Sequence, residues 1–168
     1  MLHRLRQLKS AIHARVSPEE AQWVRELLSG ELSELFFAMD LPAQRHCLDT
    51  AQYLLGVIPG SDDQEHLLQA ALLHDCGKAG AGLTVLRRSL LVLARSVLGE
   101  GLARFAREGE GWRHALWNQL HHPQLGAALA QARGAHPQVE ELIRIHQARP
   151  WPGSSNDHLL LYQADQAN

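Results

Sequence analysis

The sequence is poor in strand signals, cysteine and aromatic residues, and it carries no excess of basic charge. No alternating Val/Ile/Thr run and no Asn-Gly or Asp-Gly dipeptide occurs, so nothing in it encodes hairpins. Two cysteines, Cys47 and Cys76, exclude a disulfide-rich scaffold, and their spacing excludes a CxxC zinc ribbon. Lys and Arg number 16 against 18 Asp and Glu, a formal net charge of -2; the basic footprint of a nucleic-acid binder is missing. The longest apolar stretch, Leu83 to Leu98, is interrupted by Arg87, Arg88 and Arg95 and falls short of the about 20 apolar residues of a membrane span. His3, Arg4, Arg6 and Lys9 precede no apolar run, so we read no signal peptide and expect a cytoplasmic protein.

What the chain does have is histidine. Its 11 histidines outnumber the four Trp, two Tyr and three Phe together. Hydrophobic residues at 45% and charged residues at 20% are ordinary globular usage. A chain of 168 residues buries roughly 70% of its unfolded surface, so it needs no metal merely to fold.

Helical periodicity runs through the whole chain. Ser17-Pro18-Glu19-Glu20 is a helix start with a capping box, and the helix is predicted to reach about Met39, with Gly30 a weak point. Asp40 and Pro42 open a second helix to about Val57, ended by Pro59-Gly60-Ser61. Asp62-Asp63 start a third, which reaches His74-Asp75 and stops at Gly77. Leu83 to Leu98 reads as a fourth, packed on the core with its arginines outward; a homodimer face or a lid over a pocket is the alternative. One or two short helices are expected around Gly109 and Gly111, then helices over His122–Arg133, from His136-Pro137 to about Gln147, and from Asn156 or Asp157 to the C-terminus. The expectation is an all-α, single-domain bundle of about seven to nine helices.

The sharpest string is His74-Asp75-Cys76-Gly77-Lys78, behind the apolar helix end Leu67–Leu73. Residues i and i+1 point about 100° apart on a helix. At a helix end, where Gly77 breaks the geometry, His74 and Asp75 can converge on one divalent ion; the alternative is a capping Asp beside a hydrogen-bonded core His. His46, His121-His122-Pro123, His146 and Asp165 also lie in helical stretches. Charges on apolar faces are costly unless satisfied, and a shared metal would satisfy several at once.

The order His46 … His74-Asp75 … Asp165 resembles the HD superfamily of metal-dependent phosphohydrolases. His74-Asp75-Cys76-Gly77-Lys78 resembles its HDxGK form, His122-Pro123-Gln124-Leu125-Gly126-Ala127 its HxxxGA segment, Ile143–His146 its IxxH segment and Ala164-Asp165 its closing AD. The pattern is nearest to the HD-type symmetrical diadenosine tetraphosphate hydrolases and shares part with the HD-GYP phosphodiesterases. The GYP motif is absent, Gln147 replaces a second histidine, and residues 79 to 120 are longer than in the tetraphosphate hydrolases.

The resemblance implies two divalent ions, iron or manganese, with nickel, cobalt or magnesium also accommodated. His46, His74, Asp75 and Asp165 would hold one, and His122, His146 and a bridging Asp75 the other. In such sites two ions about 3.5–4 Å apart share a bridging hydroxide that attacks phosphorus. The implied substrate is a nucleotide or dinucleoside polyphosphate; the alternative is a non-catalytic nucleotide-binding or regulatory module. Lys78 is expected on a substrate phosphate, with a solvated lysine the bland reading; Arg149 either reaches a second phosphate or stays in solvent. Asp49, on the face of His46, is either a partner for its other ring nitrogen or a surface residue. The spacing to Gly126 favours His122 over His121. Cys47 and Cys76 read as packing, and His3, His13, His66, His114, His136 and His158 as surface, capping or core residues. Residues 1–39 are expected to form a helical extension packed on an HD-like domain of residues 40–168, beginning with a basic arm or extra helix.

Overall fold

The structure, a computed structural model, describes residues 14–58, 64–79, 106–109 and 111–168. Among the described residues the chain is all α, with seven α-helices, one 3-10 turn and no strand. The fourth helix expected at Leu83–Leu98 and the basic N-terminal arm lie outside the described residues.

Helix α1 (Pro18–Leu27) begins on the expected capping box: Glu20 N–H donates to Ser17 Oγ (3.2 Å) and Ser17 N–H to the Glu20 carboxylate (2.9 Å). It does not continue to Met39. Leu28 is extended and Gly30 takes φ +49°, a left-handed value that costs a residue without Cβ little. A separate helix, α2 (Glu31–Phe37), follows. Asp40 caps α3 (Leu41–Val57) by accepting from Ala43 N–H at 3.0 Å. Buried Gln44 donates to the carbonyls of Met39 (2.7 Å) and Phe37 (3.3 Å), which satisfies groups that the end of α2 leaves without helical partners.

Helix α4 (Glu65–Leu73) buries Leu67, Ala70, Ala71, Leu72 and Leu73. So broad an apolar surface belongs to a helix enclosed on several sides, and α4 packs on α1, α2, α3, α6 and α7. The chain then turns through His74 and Asp75 into the 3-10 turn Cys76–Lys78. Helix α5 (Gly111–Ala132) is one continuous helix with Pro123 inside it, where the sequence suggested short pieces and a new start at His122. Proline fits a first turn best, which is why His122-Pro123 reads as a start; here the helix runs through it. Helix α6 (Pro137–Ile145) is capped by His136, whose Nδ1 accepts from Gln138 N–H. Helix α7 (Asn156–Ala167) is capped one residue earlier than expected, by Ser155.

The core is mainly aliphatic: Val24, Leu28, Leu48, Leu54, Leu67, Leu72, Leu73, Val139, Ile143 and Leu161 belong to one buried cluster, together with Phe36. Helix α5 lies against α6 and the 3-10 turn, and α3 against α4 and α7. These contacts bring one point of each of α3, α4, α5, α6 and α7 together. Among the described residues no helix is long and apolar enough to cross a membrane.

Candidate metal centre

Five helices each deliver a ligand-type side chain to this point: His46 from α3, His74 and Asp75 from the end of α4, His122 from α5, His146 from the end of α6 and Asp165 from α7. Ligand atoms of His46, His74 and Asp75 lie within 4.8 Å of one another, and so do those of Asp75, His122 and His146. Asp165 Oδ1 joins the first group, 2.9 Å from His46 Nε2 and 3.6 Å from His74 Nε2. Asp75 Oδ1 stands between the groups, 3.7 Å from His74 Nε2, 3.4 Å from His122 Nε2 and 3.9 Å from His146 Nε2.

Three of the imidazoles are aimed by the same device. The Nδ1–H of His74 donates to the Ala71 carbonyl (2.9 Å), that of His122 to Gln119 (2.8 Å) and that of His146 to Ile143 (2.7 Å). Each acceptor lies three residues back. Ala71 and Ile143 belong to the last turns of α4 and α6, where carbonyls lack intrahelical partners. Gln119 is the residue whose carbonyl would accept from residue 123 in a regular helix; Pro123 has no N–H and leaves that carbonyl free. These bonds fix the tautomer and turn each Nε2 lone pair inward.

The donor set fits divalent cations. His74 Nε2 is buried and has no hydrogen-bond partner, yet carboxylate oxygens face it at 3.6 and 3.7 Å. His122 Nε2 and His146 Nε2 are 3.3 Å apart. With both Nδ1 atoms donating to the backbone, these are two lone pairs facing each other, an arrangement a cation resolves. Two nitrogens about 2.1 Å from a shared ion, at angles of about 90–110°, are about 3.0–3.4 Å apart. The C-terminal ends of α4 and α6, the negative poles of their dipoles, also converge here.

Burial alone would push the His74 imidazole down, but Cys47, Asp75 and Asp165 raise it well above the ordinary range in the ion-free chain; the other groups shift as metal ligands do. Burial alone would push the Asp75 carboxyl up, but Lys78, His74 and His122 hold it well below the usual carboxylate range. Burial works the same way on Asp165, and hydrogen bonding by His46 and His74 keeps its carboxyl low. Burial, with His74 and His122 nearby, pushes the His146 imidazole down to about 3; burial and Lys78 lower His122. Both are neutral near pH 7, the form that binds metal. His74, His122 and His146 are fully buried, whereas the side chains of His46, Lys78 and Asp165 keep some exposure. The centre is therefore closed on one side and open on the other.

Lys78 Nζ sits 2.7 Å from the Asp75 carboxylate. Arg149 is exposed, three residues beyond His146, and is not part of the cluster. Asp49 does not hold His46; it accepts from Arg45 Nε at 2.9 Å, a charged partner one helical turn away. Arg45 also pairs with Glu20 at 2.7 Å, tying α1 to α3 beside His46. His121 is exposed, its ring stacked on Trp117. Cys47 is buried behind His74, Sγ 3.8 Å from Nδ1, and Cys76 packs against the Gly126 carbonyl. His158 is a buried residue that binds the Ala148 carbonyl, and His66 and His136 stack on each other.

The HD domain matches residues 44–167 of the chain. No curated protein and no solved structure matches it.

Proposed function

The chain belongs to the HD domain family, typically metal-dependent phosphohydrolases, and from that premise we propose that its centre holds two divalent cations and hydrolyses a phosphoester or phosphoanhydride of a nucleotide or dinucleoside polyphosphate. The observation that carries the reading is the position of Asp75, one buried carboxylate within reach of two separate histidine groups. His46, His74, Asp75 and Asp165 would hold one ion, and Asp75, His122 and His146 the other; iron or manganese suits this mixture of imidazole and carboxylate. When bound, such ions supply charge neutralisation at phosphoryl oxygens and an acidified water.

The remaining work falls to the chain itself. The buried imidazoles of His74, His122 and His146 keep bulk water from the closed side. Lys78, on the open side with its ammonium on Asp75, exchanges that partner for a substrate phosphate oxygen and brings a compact positive charge to it. Arg149, exposed beyond His146, meets a more distant phosphate. Residues 40–168 carry the chemistry, and the helices before them brace it through the Glu20–Arg45 pair.

The test is a hydrolysis panel of ATP, ADP, diadenosine tetraphosphate and p-nitrophenyl phosphate with Mn²⁺ or Fe²⁺. At least one is expected to turn over in the ordinary enzyme range of about 1–1000 per second, and a chelator is expected to stop it. Tight nucleotide binding without turnover of any of them would make the protein a regulatory module instead.

A further inference from the structure

The Lys78 ammonium is 2.7 Å from Asp75 Oδ1 and 2.7 Å from Oδ2, so it straddles the carboxylate. The 3-10 turn puts it there: Lys78 N–H donates to the Asp75 carbonyl at 2.9 Å, which folds residue 78 back over residue 75. Oδ1 is also the oxygen that faces His74, His122 and His146 Nε2. One oxygen therefore serves the ammonium and both histidine groups. A buried carboxylate needs a positive partner, and among the described residues no other lysine or arginine pairs with Asp75. The charge also reaches the neighbouring ring, where it helps to lower the His122 imidazole. A divalent cation and an ammonium on one carboxylate repel each other, so the two are rivals for Asp75. The ammonium is the one able to leave, because Lys78 is partly exposed and its stem is flexible.

We propose that Lys78 competes with divalent cations for Asp75 and that its ammonium, once displaced, becomes the group that binds a phosphoryl oxygen, so that metal binds before substrate. This rests on the metal-dependent phosphohydrolase reading of the centre and adds an order of events to it. While it sits on Asp75, the ammonium is committed to a carboxylate and is not offered to phosphate. When Asp75 serves cations, the ammonium turns to the open side, where an anion replaces the carboxylate it has lost. The coupling is reciprocal: phosphate strengthens cation binding by the same factor by which cations strengthen phosphate binding.

The wild-type chain is tested first, by acetic anhydride labelling read by mass spectrometry. Lys9 and Lys78 are its only lysines, so Lys9 reports the reagent and Lys78 the site. Mn²⁺ is expected to raise the labelling of Lys78 relative to Lys9 about tenfold or more, and orthophosphate added to the Mn²⁺ form is expected to lower it again. Labelling of Lys78 that Mn²⁺ leaves unchanged or lowers overturns the proposal. Calorimetric titration of Lys78→Met, which keeps the reach of the side chain without its charge, gives an independent reading. This variant is expected to bind Mn²⁺ about tenfold or more tightly than wild type, and its Mn²⁺ form to bind orthophosphate about tenfold or more weakly. Lys78→Arg keeps the charge and is expected to return the Mn²⁺ affinity to near the wild-type value. Equal or weaker Mn²⁺ binding by Lys78→Met overturns the competition, and unchanged orthophosphate binding overturns the transfer of the ammonium to phosphate. If the wild type binds no Mn²⁺ and turns over none of the panel, the phosphohydrolase reading fails and this proposal falls with it; a wild type that binds Mn²⁺ and turns over substrate, with Lys78 labelling indifferent to Mn²⁺, removes this proposal alone.

Discussion

Asp75→Ala is expected to lose bound metal at both positions and to lower hydrolysis by more than about a hundredfold. Loss of an outer partner to a metal ligand already costs roughly 10–100-fold, and Asp75 is closer to the centre than any outer partner. Its Oδ1 lies within 3.9 Å of His74, His122 and His146 Nε2, so no other single substitution touches both groups. The variant leaves Lys78 without its carboxylate and leaves His122 and His146 facing each other across 3.3 Å with less negative charge nearby. The backbone should survive, because Asp75 contributes its carbonyl to the turn, accepting from Lys78 N–H at 2.9 Å, and alanine keeps that carbonyl. Helical circular dichroism close to wild type, with metal content near zero, is the expected pairing. A variant that keeps its metal and its rate within about twofold would remove Asp75 from the account.

Gly77→Ala is expected to cost about 3 kcal/mol or more in stability, beyond the usual range of an overpacked site, and to lower the melting temperature by about 6–12 °C. A Cβ at Gly77 would stand 2.1 Å from the His122 carbonyl oxygen, 2.6 Å from Gly126 N and 2.9 Å from the His122 carbonyl carbon. All three are backbone atoms, so no side-chain rotation relieves the clash. The 3-10 turn and α5 would have to separate at His122, and metal binding by His122 and His146 should weaken with the fold. Gly126→Ala is the milder comparison. Its nearest neighbours are at 3.2–3.3 Å and include the side-chain atoms Ile143 Cγ2 and Cys76 Sγ, which can give way. Thermal melts of the two variants check the order; a Gly77→Ala protein as stable as wild type would mean that α5 does not approach the turn so closely.

Much of the fold was legible where side chains act on their own backbone. The capping box at Ser17 and the cap at Asp40 are local devices, and both helices start where those residues say. The sequence reading failed where two local signals competed. Gly30 is weak in a helix but not forbidden, and only the structure shows that it takes a left-handed φ and divides α1 from α2. Pro123 usually marks a first turn, yet α5 passes through it because His122 Nδ1–H occupies the carbonyl that proline leaves free.

The centre was legible as an ordered set of short motifs, and His46, His74, Asp75, His122, His146 and Asp165 do come together. Motifs do not carry the second layer of contacts. Whether Asp49 pairs with His46 or Arg45 depends on side-chain reach along α3. That Lys78 rests on Asp75 depends on the turn that follows α4.

The most direct measurement is bound metal per chain in protein equilibrated with Mn²⁺ and then desalted, together with its melting temperature before and after chelation. The account expects two ions per chain. At a metal concentration 100 times each dissociation constant, it also expects about 2.7 kcal/mol of added stability per ion, about 5.4 kcal/mol for both, so chelation should lower the melting temperature by about 11–22 °C. A protein that retains no metal and melts at the same temperature with and without chelator would contradict it, leaving six inward-facing histidines and aspartates as a polar core with no ion to hold.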